Sequence, residues 1–291
     1  MALVVVTGVS SGLGKAAALR FARDGWNVLG TVRDLGREAA AGWPAGVELR
    51  LLDLAAPDTI ASFAEALLAE RGVPDVLVNN AATLLFGSVE DAGADAIRGL
   101  FQVNVLSQIA LTMSLVPGMR ARGNGLIVNV TSLGGRLVFP LFGPYNASKH
   151  AMEGFSEALW HELKPFGIRV KAVEPGYIDT PIYRKAGVVP GGAGAASPPY
   201  RQMQEAMLAY ERSITKRTSP EEAAEELWQA VTDPSDRLRY PIAAYARPLL
   251  AARRLLGDQR FIRWGHGRWF SEKRAAGVAS AADGDADRDR D

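Results

Sequence analysis

Leu3-Val4-Val5-Val6-Thr7-Gly8-Val9-Ser10-Ser11-Gly12-Leu13-Gly14, running directly into the Ala-rich stretch that ends at Arg23, is the segment whose reading decides the fold. Four consecutive apolar residues with no polar alternation describe a short strand covered on both faces. The glycines that follow turn the chain straight into a helix. Gly8 permits a tight turn, Gly12 lets a ligand approach the backbone, and Gly14 allows the helix to pack closely on the strand. The free N–H groups at the helix start, aligned with its dipole, then offer a seat for phosphate. Glycine clusters are common in turns, and it is the strand-turn-helix placement that gives this one its meaning.

Outward from this unit, apolar β-branched runs recur at Val28–Thr31, Val47–Leu51, Val76–Val78, Leu126–Val130 and Ile168–Val173, separated by helical patterns such as Gly14–Arg23 and Pro57–Glu70. Repeated βαβ units of this kind predict an α/β fold, a doubly wound parallel sheet of the Rossmann type in a single domain with a C-terminal helical extension. Ligands of such sheets bind outside the carboxyl ends of the strands, so the residues just after each strand are the candidates for chemistry. We expect the dinucleotide-binding and catalytic domain over 1–232, with a loop-rich lid at 181–218 that includes the Pro/Gly/Ala/Ser-rich run Val188–Pro199. A basic aromatic extension over 233–274 and a disordered tail over 275–291 complete the expected layout. Ser219-Pro220-Glu221-Glu222 reads as a capped helix start.

With 48% hydrophobic and 22% charged residues the chain has the composition of a soluble globular protein, and no run reaches the ~18 apolar residues of a spanning segment. The opening residues lack a basic leader and read as a strand, so we expect no export signal and a cytoplasmic location. The absence of cysteine excludes disulfides, thiolate nucleophiles and sulfur-ligated metal. His150, His161 and His266 do not show the spacing of a metal site, and no metal is expected. The formal net charge of +1 conceals a local excess of eight positive charges between Arg237 and Arg274. That segment carries Phe261, Trp264, Trp269 and Phe270. It fits packing over a substrate mouth, a subunit contact or, as a lesser alternative, peripheral membrane contact; no nucleic-acid-binding module accompanies it.

The catalytic candidates lie on the second half of the pattern. Tyr145-Asn146-Ala147-Ser148-Lys149 opens a helical stretch reaching Leu163, which puts Tyr145 and Lys149 one turn apart on one face. Ser132 ends a strand pattern thirteen residues before Tyr145, and Asn104 lies in Phe101-Gln102-Val103-Asn104-Val105. Together with the G-x-x-x-G-x-G turn, this arrangement resembles the short-chain dehydrogenase/reductase family, whose signature is Ser-x12-Tyr-x3-Lys.

The resemblance covers residues 1 to about 232 and implies an enzyme that interconverts a carbonyl and an alcohol with a nicotinamide cofactor. Tyr145 would transfer the proton. Lys149 would lower the phenol pKa and bind the nicotinamide ribose, Ser132 would donate to the substrate oxygen, and Asn104 would hold a water that links Lys149 to solvent. Gly8, Ser10, Ser11, Gly12, Leu13 and Gly14 would hold the pyrophosphate, Asp53 and Leu54 the adenine. Asn80 and Ala81, from Asn79-Asn80-Ala81-Ala82, would flank the cofactor; Ala82 replaces the family's glycine, which is harmless if its φ is negative. Pro175, Gly176, Ile178 and Thr180, from Pro175-Gly176-Tyr177-Ile178-Asp179-Thr180, would fix the carboxamide.

Cofactor choice is read at the end of the second strand. Val32 stands where NAD binders carry an acid, and Arg33 follows with a fork of donors for a 2′-phosphate, assisted by Ser11, so NADP(H) is expected over NAD(H). Asp34 is near enough to neutralise Arg33, the main argument against. Ile182, Tyr183, Val188, Val189, Tyr200, Met203 and Met207 on the lid, with Leu133, Val138, Phe139 and Phe142, suggest an apolar ketone, aldehyde or secondary alcohol. The resemblance is greatest to the 17β-hydroxysteroid and retinol dehydrogenase-like branch, and the family implies a homodimer or homotetramer. Two rivals are a redox sensor or scaffold that binds NADP(H) without turnover, which would not need the Tyr/Lys pair, and a sugar-nucleotide epimerase or dehydratase, against which the glycine spacing speaks.

Overall fold

The computed structural model describes residues 1–39, 42–180, 182, 187–188 and 197–270. In chain order the strands are β1 (Leu3–Val6), β2 (Asn27–Val32), β3 (Val47–Leu51), β4 (Val76–Asn79), β5 (Leu85–Phe86), β6 (Gly125–Val130), β7 (Ile168–Pro175), β8 (Gly187–Val188) and β9 (Arg239–Ile242). The helices are α1 (Gly12–Arg23), α2 (Leu35–Ala39), α3 (Asp58–Arg71), α4 (Ala94–Phe101), α5 (Ser107–Arg122), α6 (Gly143–Leu163), α7 (Arg201–Arg212), α8 (Pro220–Thr232), α9 (Ala246–Leu256) and α10 (Asp258–Trp269).

Seven strands form one parallel sheet in the order β3-β2-β1-β4-β6-β7-β9. The period-2 alternation of buried side chains splits the core in two. Val4 and Val6 of β1 face α1 and α8, in a cluster with Phe21 and Leu227, whereas Leu3 and Val5 face α3, α5 and α6 with Leu67, Leu115 and Leu159. The strand order reverses between β1 and β4, and such a switch point opens a crevice at the strands' carboxyl ends. The doubly wound fold read from the sequence is therefore the one observed.

Two elements depart from the sequence reading. The seventh strand, β9, lies beyond residue 232 in the basic segment, and pairs in parallel with β7 from Ala172↔Arg239 to Pro175↔Ile242. The helical run Ala94–Arg122 is long and apolar enough to span a membrane by length and composition, contrary to the expectation of no such run. Its Leu111, Leu115 and Met119 are fully buried against the sheet, and Arg98, Arg120 and Arg122 lie along it. Tyr183, Val189 and the proposed tail 275–291 lie outside the described residues, as does most of Val188–Pro199.

Ser219 caps α8 as expected: its Oγ accepts from Glu222 N at 3.1 Å, and Ser219 N donates to Glu222 Oε2 at 3.0 Å. This capping box fixes the helix that covers α1.

Candidate active site

At the switch point the first turn is built as a rigid cradle. Thr7 is fully buried, and its Oγ1 accepts from Asn80 N at 2.9 Å and Ala81 N at 3.0 Å. Asn80 Nδ2 returns a bond to Thr7 O at 2.8 Å, locking the loop after β4 to the loop after β1. Gly8 has φ +72°, and a Cβ there would lie 2.8 Å from the Ala81 Cβ, so both conformation and space demand glycine. Ala82 is absent from the positive-φ residues, which satisfies the condition on its replacement of glycine. α1 starts at Gly12 with no acidic residue in its first turn and no side chain capping it from Ser11, which leaves donors at its amino end for an anion.

The cleft above these loops has a volume of about 670 Å³. Every residue expected to bind the cofactor lines it: Gly8, Ser10, Ser11, Gly12, Leu13, Gly14, Arg33, Asp53, Leu54, Asn80, Ala81, Tyr145, Lys149, Pro175, Gly176, Ile178 and Thr180. A glycine cradle, an open helix amino end, a guanidinium and an acid in one elongated cleft fit a dinucleotide. Arg33 is exposed and makes no hydrogen bond or ion pair among the described residues, and Asp34 instead accepts from Arg37 N at 3.1 Å.

β9 and the loop after it position the far wall of this cleft. Gly176 N donates to Ile242 O at 2.9 Å and Tyr177 N to Ala244 O at 3.0 Å, and a Cβ on Gly176 would collide with the Ala244 carbonyl. The sequence reading missed this support, as it missed the Thr7 clamp.

Tyr145 and Lys149 project from the first two turns of α6, and Ser132 follows β6. Ser132, whose Oγ accepts from Gly134 N at 2.9 Å, favours the Tyr145 phenolate. Burial is the larger influence and raises the Tyr145 pKa above its ordinary value. This burial opposes the lowering expected from Lys149 together with an oxidised nicotinamide. Lys149 is itself buried, with Nζ donating to Val130 O at 2.9 Å and lying 6.0 Å from the centre of the Tyr145 ring. Burial brings its ammonium down to about 8, opposed by the charge of Glu153.

Asn104 does not line the cleft. It lies in a π-helical turn, Gln102–Leu106, between α4 and α5. Its Oδ1 accepts from Thr83 N at 2.8 Å, and its Nδ2 donates to Thr83 O at 2.9 Å and Ser148 Oγ at 3.1 Å. The side chain thus braces α6 behind Tyr145 through Ser148.

A second cavity of about 350 Å³ meets the cleft at Ser132 and Tyr145. Leu133, Phe139, Phe142, Ile182 and Met207 line it as expected, joined by Leu84, Phe86, Tyr177, Leu208 and Tyr210, which the sequence did not single out. Val138 is exposed, and the Tyr200 hydroxyl turns away to Glu90 Oε1 at 2.7 Å. Phe139 is backed by Trp269 of α10, ring centroids 5.8 Å apart. Leu141, in the loop between Phe139 and Phe142, is held at φ +64°, a strained conformation for a branched residue.

The sequence profile described as short chain dehydrogenase matches residues 2–187. The chain is 34% identical to mouse 17-beta-hydroxysteroid dehydrogenase type 1 over 82% of its own length and 72% of the relative's. It is 30% identical to the NADPH-dependent 3-dehydrocapnine reductase of Ornithobacterium rhinotracheale, over 89% and 94%. The crystal structure of a short-chain dehydrogenase from Streptomyces avermitilis superposes with a TM-score of 0.75 at 32% identity, covering 92% of this chain and 95% of that one. The parallel sheet, the glycine cradle and the Tyr/Lys helix open onto one cleft, and the chain belongs to the short-chain dehydrogenase/reductase family of oxidoreductases.

Proposed function

We propose that the protein is an NADP(H)-dependent oxidoreductase that interconverts an apolar ketone or aldehyde and the corresponding alcohol, with Tyr145 as the proton-transfer residue. The observation that carries this reading is the junction of the two cavities at Ser132 and Tyr145: an apolar chamber meets the cradle-lined cleft at the two hydroxyls. A nicotinamide bound in the cleft would supply or accept the hydride. The Ser132 hydroxyl steadies the substrate oxygen as charge develops there, and Tyr145 gives it a proton in reduction or takes one in oxidation. Lys149, as ammonium, offsets negative charge on the phenol oxygen. Asn104 keeps α6 in place through Ser148.

Preference for NADP(H) is supported by Arg33, which has no partner among the described residues, and by Val32 at the position of an acid. The relative that uses NADPH points the same way. The apolar lining supports a hydrophobic substrate, and the hydroxysteroid relative is consistent with it.

Tyr145→Phe tests the reading. Turnover should fall by at least a hundredfold, the scale of general acid-base catalysis at about 10² to 10⁴, while NADPH still binds. Retained turnover removes Tyr145 from the chemistry.

A further inference from the structure

The basic segment beyond residue 232 carries an outer surface that the proposed chemistry does not use. Between Ala246 and Trp269, α9 and α10 hold six arginines and a single acid, Asp258. Each helix packs one stripe on the body of the protein. On α10 that stripe is Phe261, Gly265 and Trp269, spaced four apart and buried. On α9 it is Leu249, Leu250 and Ala252, which pack with Phe261 against Leu133 and Leu137. Covering the substrate chamber is therefore done by these inward stripes.

The opposite stripes serve no such purpose. Leu255, near the end of α9, is 85% exposed; Leu256 before the Gly257 turn and Ile262 and Trp264 after it are exposed as well. Trp264 lies against Phe261, ring centroids 5.3 Å apart, and Arg268 sits over its ring at 5.7 Å, so the indole is anchored at the surface. Of the six arginines, Arg247 pairs with Glu226 at 3.0 Å and Arg253 with Asp258 at 2.8 Å. Arg254, Arg260, Arg263 and Arg268 are exposed and meet no acid among the described residues.

Apolar side chains held out in water among unneutralised cations do nothing for the fold, and they match a surface that is negative outside and apolar beneath. We propose that the α9–α10 pair docks the protein on an anionic lipid bilayer, with Leu255, Ile262 and Trp264 entering the headgroup boundary and Arg254, Arg260 and Arg263 meeting lipid phosphates. A second copy of the chain fits this face less well, because a two-fold contact would set the arginine cluster against itself. The sequence beyond Arg274 offers five aspartates but no aromatic residue or leucine, so it answers the charges and not the apolar side chains. Leu208 of α7, a helix in contact with α10, is exposed and also lines the apolar cavity. The rim of that cavity thus lies next to the docking helices, where an apolar ketone dissolved in lipid is concentrated. That last step rests on the proposed substrate class; the docking does not.

Cosedimentation of the full-length protein with vesicles tests the docking. An equal mixture of phosphatidylcholine and phosphatidylglycerol should bind it, phosphatidylcholine alone should not, and raised salt should release it. Arg260→Ala combined with Arg263→Ala should weaken binding roughly 30-fold, about fivefold for each basic residue brought to an anionic surface. Leu255→Ser leaves the charge unchanged and should still weaken binding by about tenfold or more. These side chains are exposed, so both variants should melt within about 2 °C of the wild type and keep its turnover of a water-soluble ketone. Equal binding to both kinds of vesicle, or to neither, overturns the proposal, as does an unchanged affinity in either variant. Self-association of the wild type that Leu255→Ser abolishes, without vesicle binding, would assign the face to a second copy instead. Retained turnover in Tyr145→Phe would sink the catalytic reading and leave the vesicle result untouched.

Discussion

Replacing Arg33 by alanine should separate the two cofactors. The guanidinium is exposed at the end of β2, lines the cleft and has no partner among the described residues, so binding a 2′-phosphate breaks no existing bond. Hydrogen bonds to charged groups contribute about 1.5–3 kcal/mol. Exposure to solvent places Arg33 in the lower part of that range, about 1.5–2 kcal/mol, or roughly a 10- to 30-fold loss of kcat/KM with NADPH. With NADH the same variant should stay within about twofold, because the ribose hydroxyls carry no phosphate for the guanidinium to meet. Val32→Asp should push the same way by placing an acid where it repels the phosphate. Steady-state kinetics with both cofactors on one ketone decide the matter. Equal losses for NADPH and NADH in Arg33→Ala, or equal use of NADH by the wild type, would refute the assignment.

Two further substitutions probe the scaffold around the site. Ser219→Ala removes the hydroxyl arm of the α8 capping box, leaving Ser219 N on Glu222 Oε2, and should cost about 1 kcal/mol, lowering Tm by roughly 2–4 °C in a thermal melt; an unchanged Tm would deny the hydroxyl any part in stability. Trp269→Ala removes the ring behind Phe139 and should raise KM for a bulky apolar ketone by about 3- to 10-fold relative to a small one, with a stability loss of about 3 kcal/mol. An unchanged ratio between the two substrates would show that α10 does not shape the chamber.

Most strands legible in the sequence are buried on both faces, the half-buried edge strand β3 being the exception. Val4, Val5 and Val6, or Ile127 and Val128, have no polar side, and apolar runs of that kind between glycines have few other readings. β9 is an edge strand, Arg239-Tyr240-Pro241-Ile242, in which only Tyr240 and Ile242 are buried. Its arginine bonds to α6 and its proline is tolerated because one flank is unpaired, and both features hid it among the basic residues. The site divided in the same way. Cofactor-lining residues stand directly after strands and could be located by counting, whereas Leu208 and Tyr210 reach the second cavity from α7, far from any strand end in sequence. Thr7 reads as one more strand residue until its hydroxyl is seen to hold the loop after β4.

The electrostatics of the unliganded chain constrain how the proposed chemistry is primed. Burial raises the phenol of Tyr145, and Ser132 only partly offsets it. Burial also lowers Lys149, though its value of about 8 leaves most of the population charged at neutral pH. The resting chain therefore presents a protonated phenol beside an ammonium, the correct state for giving a proton to a carbonyl oxygen and the wrong one for taking a proton from an alcohol. Oxidation needs an added positive influence to bring the phenol down, and the chain's own residues do not supply it. Lys149 donates to the Val130 carbonyl, on the β6 strand end, so its charge is not aimed wholly at the phenol oxygen.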